Sequence, residues 1–168
     1  LPGDFLALRL TNEATTTVTG LSEGIFWNFA ERGIDRRLLE EYGIEERLLS
    51  RVVPAMGIQG HLTRDAAALL GLREGIPVSY RAGDQPNNAF SLNVLNPGEV
   101  AATAGTSGVV YGVSDKTTSD PRSRVNLFAH VNYTMDRSRL GILLCINGTG
   151  ILFSWLRRFS GRDAVIRR

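Results

Sequence analysis

The sequence predicts a mixed α/β fold, and three observations carry that prediction. Residues 1–95 hold repeated helix start and stop signals around a single apolar run, 76–80, that reads as a strand. A turn signal, Asn96-Pro97-Gly98, follows it. Beyond the turn, residues 99–113 alternate small and apolar side chains across Gly105-Thr106-Ser107-Gly108, the pattern of two antiparallel strands.

The elements follow in order. Residues 2–10 begin with Pro2 and stop at Thr11-Asn12, which fits a short helix, because proline is tolerated in a first turn. Residues 15–24 are rich in Thr, Ser and Gly and read as irregular, with room for one helical turn. Residues 24–29 are apolar around Trp27 and read as buried. Residues 35–41 form a short helix ended by Tyr42-Gly43, and 44–49 a second one. Residues 63–72 give the cleanest helix of this half, with Thr63 as N-cap and Gly71 near its end. The strand 76–80 reads as buried and leads into a helix over 84–95. After the hairpin, 114–124 is a polar loop. Residues 125–131 and 140–146 are two more strands, joined by a polar turn at 134–139. Residues 151–159 make an amphipathic helix with Leu152, Trp155, Leu156 and Phe159 on one stripe.

Composition narrows the function classes. The chain has 168 residues, 43% hydrophobic and 21% charged, with a net charge of +2, which suits an ordinary globular protein. Its basic residues are scattered among acids, apart from Arg157-Arg158 and the run 162–168. That excludes the one-sided basic stripe of a nucleic-acid binder. No apolar run approaches the roughly 20 residues of a membrane span, and no signal peptide is visible. The single cysteine, Cys145, cannot form an internal disulfide. It lies in an apolar run and reads as a buried thiol in a reducing, cytoplasmic setting. Asn132-Tyr133-Thr134 and Asn147-Gly148-Thr149 fit the glycosylation pattern, but as chance matches without secretion.

Two short segments carry the chemistry. Gly83-Asp84-Gln85 puts an acid where the 76–80 strand meets a helix. Taken alone, Asp84 reads most simply as an N-cap that accepts backbone N–H bonds. It can equally act as a general base, exposed and oriented by the helix start. Gly105-Thr106-Ser107-Gly108 reads alone as a tight turn. Functionally, its small residues let backbone N–H groups and hydroxyls approach a phosphate. It is not a Walker loop, since no lysine follows and the glycine spacing differs. Asn147-Gly148-Thr149-Gly150 is a third small-residue turn, before a helix whose N-terminus suits phosphate. His61 and His130 lack metal-ligand spacing and read as structural, while Trp27 and Trp155 read as core. Glu40-Glu41 and Glu45-Glu46 read as solvated helix faces. An acid able to take a proton, near a loop able to hold phosphate, is the equipment of phosphoryl transfer to a small molecule.

Taken together and in order, these segments resemble the FGGY carbohydrate kinases. The opening Leu1-Pro2-Gly3-Asp4-Phe5-Leu6 to Leu10-Thr11 resembles that family's Leu-Pro-x-Asp-Tyr-Leu-x-x-x-Leu-Thr segment. Gly60-His61-Leu62, Gly71-Leu72 and Pro77-Val78 resemble the approach to its catalytic strand. Gly83-Asp84-Gln85 is similar to its catalytic Gly-Asp turn, and 104–108 to its Gly-Thr-Ser-Gly phosphate loop. The resemblance runs over most of the chain and is strongest to the xylulokinases.

The resemblance implies an actin-like (ribonuclease H-like) ATPase fold in part. Residues 1–95 would be the end of the first domain and 99–168 the start of the second. It implies that Asp84 is the base that deprotonates a sugar hydroxyl and that Gln85 helps hold the sugar. Gly105, Thr106 and Ser107 would contact nucleotide phosphate, and Gly150 would be a second nucleotide contact. ATP and Mg²⁺ are the implied cofactors, with no metal ligand assigned within the chain. The implied reaction is D-xylulose to D-xylulose 5-phosphate. Gln85 departs from the Asn frequent in xylulokinases and matches glycerol kinases, so a glycerol, gluconate or other polyol kinase stays open. So does a non-catalytic sugar- or nucleotide-binding module on the same fold. The family's N-terminal Asp-x-Gly-Thr loop and C-terminal adenosine segment are not among these residues. The expectation is therefore an internal piece that does not turn over alone, binds neither nucleic acid nor membrane, and leaves a full-length homodimer open.

Overall fold

The computed structural model describes residues 1–160, so the basic run 162–168 lies outside the described residues. In chain order it contains α1 (Pro2–Thr11), β1 (Thr15–Thr17), α2 (Val18–Glu23), β2 (Trp27–Asn28), β3 (Gly33–Ile34) and α3 (Arg36–Glu41). There follow β4 (Arg51–Val53), β5 (Met56–His61), α4 (Arg64–Leu70), β6 (Pro77–Tyr80) and α5 (Asp84–Ser91). The second half holds β7 (Val100–Ala104), β8 (Gly108–Ser114), β9 (Asn126–Ala129), β10 (Leu140–Ile146) and α6 (Thr149–Phe159).

The first half is richer in strands than its sequence suggests. β1 pairs with β4 in parallel, β2 with β3 and β5 with β6 antiparallel. Only β6 had been legible. The Thr-rich stretch is a strand running into a helix because its hydroxyls find partners at once. Thr17 Oγ1 accepts the Gly20 N–H at 3.2 Å and lies 2.7 Å from Thr19 Oγ1. That satisfies buried polar groups which would otherwise be costly. The helix expected over 44–49 is only a 3-10 turn at Glu46–Leu48. β6 is half-exposed rather than buried, since its one strand partner is β5 and Ile76 and Pro77 face outward. α4 forms as its caps dictate: Thr63 Oγ1 accepts from the Ala66 N–H at 3.3 Å, and Gly71 closes it in the left-handed conformation at φ 67°.

The second half is a four-stranded antiparallel sheet in the order β7-β8-β10-β9. Ala104 pairs with Gly108, so β7 and β8 meet across the three-residue turn Gly105-Thr106-Ser107. One buried cluster lies between α5 and this sheet: Ala89, Ala101, Tyr111, Val113 and Leu143. A second joins Ala129, Tyr133 and Leu140 to Val18, Trp27 and Phe29. Trp27 meets the Tyr133 ring edge-on, with centroids 6.4 Å apart. The Ala129 N–H also donates to Ser22 Oγ at 2.9 Å. Both cores thus draw side chains from before and after Asn96-Pro97-Gly98.

The connection from α5 to β7 is tied down along its length. His130 Nε2 donates to the Val94 carbonyl and Asn132 Nδ2 to the Leu95 carbonyl, each at 3.0 Å. The Leu95 and Asn96 N–H groups donate to Glu99 Oε2 at 2.7 and 2.8 Å. Since Val94 offers only an acceptor, Nε2 carries the imidazole proton. Burial holds His130 below its ordinary pKa, so Nδ1 is the acceptor for the Tyr111 hydroxyl at 3.0 Å. His130 is structural, as its sequence context predicts.

Two apolar expectations fail. Cys145 is exposed, because the last residues of β10 run past the buried part of the sheet. Trp155 is 51% exposed, and Leu152, Leu156 and Phe159 are exposed with it, so the stripe on α6 is uncovered in this chain. Trp155 and Phe159 stack on each other instead, at 5.3 Å between centroids. Among the described residues no helix is long and apolar enough to cross a membrane.

Candidate active site

Asp84 is the first residue of α5, and Gly83 is the N-cap. The side chain of Asp84 therefore does not cap, contrary to the simplest reading of it. At the first helical position rather than at the cap, its carboxylate makes no bond to the orphan N–H groups of the first turn. It is exposed, and its recorded hydrogen-bond contact is Gln85 Nε2, donating at 3.4 Å to Oδ2. A carboxylate at a helix start that is not spent on capping is available to a ligand.

The turn that presents Asp84 is held from behind by Arg81. Its Nη2 donates to the Thr15 carbonyl at 2.8 Å, and its Nε lies 3.0 Å from Asp4 Oδ1. The Nε–Asp4 contact is an ion pair rather than an aligned hydrogen bond, since Nε and Nη1 are both buried without a hydrogen-bond partner. Arg81 thereby links α1, β1 and the β6–α5 turn. Burial lowers its pKa and the Asp4 charge opposes that shift. Asp4, Arg81, Gly83 and Asp84 line a cavity of about 450 Å³ together with Thr17, Gly20 and Glu23.

Glu23 is the unexpected member. Its Oε1 is buried with no hydrogen-bond partner, and its carboxyl fills the space that a Cβ on Gly83 would need. Burial, and then the Asp84 charge, push its pKa up to about 6. Sequence reasoning missed both Glu23 and Arg81. Only the structure shows why position 83 is glycine: its φ of −66° suits any residue, so it is the Glu23 carboxyl that leaves no room for a Cβ.

Gly105, Thr106 and Gly150 come together with Ile151, Ser154 and Arg158 around a second cavity of about 320 Å³. The Gly150 N–H donates to the Thr106 carbonyl at 3.1 Å, and a Cβ at position 150 would collide with the Gly105 carbonyl oxygen. Gly105 and Thr106 are exposed at the turn. Half-buried Ser107 closes it, its carbonyl accepting from the Gly105 N–H at 3.1 Å. The structure thus joins three of the four predicted nucleotide contacts in one cavity, with Ser107 in the same turn. Asp84 lies at the other cavity, and Gln85 reaches it only through its contact with the Asp84 carboxylate. His61 is exposed and apart from both.

Among the described residues no group of three or more His, Cys, Asp or Glu side chains is placed to hold a metal ion. Asp4 is committed to Arg81, which leaves Glu23 and Asp84 as the free carboxyls of the first cavity. These residues do not by themselves make a Mg²⁺ site.

Comparison with known proteins gives a consistent family. Residues 1–91 match the model of the N-terminal domain of the FGGY family of carbohydrate kinases. A xylulose kinase from Streptomyces rubiginosus is 34% identical over 129 residues, covering 77% of this chain and 26% of the relative. A glycerol kinase from Thermococcus onnurineus is 31% identical over 157 residues, covering 91% of this chain and 30% of the relative. The solved structure of a xylulose kinase from Rhodospirillum rubrum superposes with a TM-score of 0.86 at 26% identity. It covers 96% of this chain and 32% of that one. The fold is therefore the actin-like ATPase fold in part, and the chain spans between a quarter and a third of the length of these proteins.

Proposed function

Because the chain belongs to the FGGY family of carbohydrate kinases, we propose that it is the part of an ATP-dependent sugar kinase that carries the general base, Asp84. The observation that supports this most is the exposed Asp84 carboxylate, free of any capping bond at the start of α5 and opening on a cavity of about 450 Å³. In the reaction, the sugar hydroxyl gives its proton to Asp84 and its oxygen attacks the γ-phosphorus of ATP. The bond from that phosphorus to the bridging oxygen breaks and ADP leaves. Little early proton removal is needed when the transition state is loose, so a weak base held in place suffices.

Gln85, half-buried beside Asp84, would hold the sugar. The Gly105-Thr106-Ser107 turn and Gly150 would hold nucleotide phosphate through backbone N–H groups and hydroxyls, a setting in which small residues allow close approach. Residues 1–95 and 99–168 would belong to the two domains of the family fold, with Asp84 on the first and Thr106 on the second. A family match that ends at residue 91 supports that division. D-xylulose is the proposed substrate, supported by the identity to xylulose kinases. Glycerol is the second reading, favoured by Gln85 and by the glycerol kinase relative. Gluconate belongs in the same substrate panel.

The test is ADP release by the full-length kinase with D-xylulose, glycerol and gluconate. Turnover with one of them, reduced by orders of magnitude in Asp84→Asn with folding intact, is the expected result. ATP binding without turnover on any polyol would replace the kinase with a binding module. The present segment alone is expected to release no ADP.

A further inference from the structure

The Glu23 carboxyl has no assigned role, and its surroundings are unusual for a charged group. It ends α2, its Oε1 is buried without a hydrogen-bond partner, and it rests against the α-carbon of Gly83, the residue next to Asp84. A buried ionised carboxylate without a partner is costly. The cation in the same cavity does not relieve it. Arg81 is held by Asp4 through Nε and by Thr15 through Nη2, and although its Nη1 is buried without a hydrogen-bond partner, no ion pair joins it to Glu23 among the described residues. The groups that Glu23 senses are Asp84 on α5 and Tyr111 on β8, whose hydroxyl is pushed up by burial and then by the Glu23 charge. Neither supplies a positive charge.

Resting on the reading of Asp84 as base, we propose that Glu23 is a second carboxyl of the phosphoryl-transfer site. It is a positioning residue whose negative charge favours Asp84 in the protonated form reached when the substrate hydroxyl gives up its proton. Two carboxylates in one site disfavour double ionisation. The proton stays on Asp84 during transfer, and Glu23 accepts nothing from the substrate. Its second role is steric, since its carboxyl fixes the position of the Gly83 backbone from which the Asp84 side chain departs. The rise of Glu23 to about 6 agrees with this arrangement.

The experiment is a pH profile of kcat/KM in the full-length kinase with its best sugar, for the wild type, Glu23→Gln and Asp84→Asn. The wild type should gain activity through a limb near pH 6 as Glu23 ionises. Glu23→Gln should lose that limb and fall about two- to threefold in kcat above pH 7, the modest effect that a small degree of proton transfer in a loose transition state allows, with KM for the sugar little changed. An unaltered limb and kcat in Glu23→Gln, with Asp84→Asn inactive, overturns the role of Glu23 and leaves the base reading standing. Near-normal turnover in Asp84→Asn overturns the base reading and this inference with it. If Glu23→Gln does not fold, carbon-13 titration of the Glu23 carboxyl in the wild type and in Asp84→Asn decides the matter. A midpoint near 6 that drops in Asp84→Asn supports the coupling, and a midpoint that does not move overturns it.

Discussion

The Gly150 amide, at the start of α6, donates to the Thr106 carbonyl at 3.1 Å, and the Gly105 carbonyl fills the space a side chain at position 150 would need. The turn between β7 and β8 is thus shaped by α6, the helix that follows the last strand of the sheet.

Gly150→Ala should therefore displace the Gly105-Thr106-Ser107 turn. The added methyl meets main-chain atoms of Gly105 and Thr106, which cannot swing aside as a side chain would. ATP affinity of the full-length kinase, measured by calorimetry, is expected to fall about tenfold or more, with the sugar affinity unchanged. Unchanged ATP affinity would mean that the turn does not hold phosphate.

Gly83→Ala should destabilise the chain through Glu23. The backbone there, at φ −66° and ψ 167°, is open to alanine, so the cost comes from overlap with the Glu23 carboxyl. About 1–3 kcal/mol is the usual penalty for overpacking. In a Glu23→Ala background most of that cost should vanish. A double-mutant cycle by urea denaturation would read the difference as a coupling energy.

Tyr111→Phe should leave the His130 Nδ1 acceptor buried and unpaired. The hydroxyl now donates to it at 3.0 Å. A loss of about 1–3 kcal/mol is expected for an orphaned buried group, measured from the shift in denaturation midpoint. Far-ultraviolet circular dichroism should not change.

Glu23 and Glu99 should give stability opposite pH dependences. Asn96, through its side chain and backbone, and then the Leu95 N–H, hold Glu99 down to about 2 from an ordinary 4.5. Its contribution is complete above 4.5 and is lost as pH falls towards 2. Glu23 lies high instead, at about 6. Its contribution is complete below 4.5 and is lost as pH rises through 6. Denaturation midpoints across pH 2–7 should show the acid-side loss shrinking in Glu99→Gln and the loss between pH 4.5 and 6 shrinking in Glu23→Gln.

The parts legible in the sequence were those written in local chemistry. Thr63 and Gly71 announced α4, and the alternation on either side of Gly105-Thr106-Ser107 announced the hairpin. β5 was hidden because Met-Gly-Ile-Gln-Gly-His has two glycines and no clean alternation. It becomes a strand only by pairing with β6 across an irregular register. The four nucleotide-contact candidates were legible as small residues, but not the hydrogen bond that joins Gly150 to Thr106. Glu23 was illegible for the same reason. Nothing in α2 states which turn it will meet, and 60 or so residues, roughly half a small domain, separate it from Gly83.

The ties along residues 94–99 have a mechanical consequence. His130, Asn132 and Glu99 clamp that stretch, and Ala89 of α5 is buried against Ala101 and Tyr111 of the sheet. The chain between Asp84 and Thr106 is therefore no slack linker: it is pinned at its middle by the side chains of His130, Asn132 and Glu99, and at its start by the packing of Ala89.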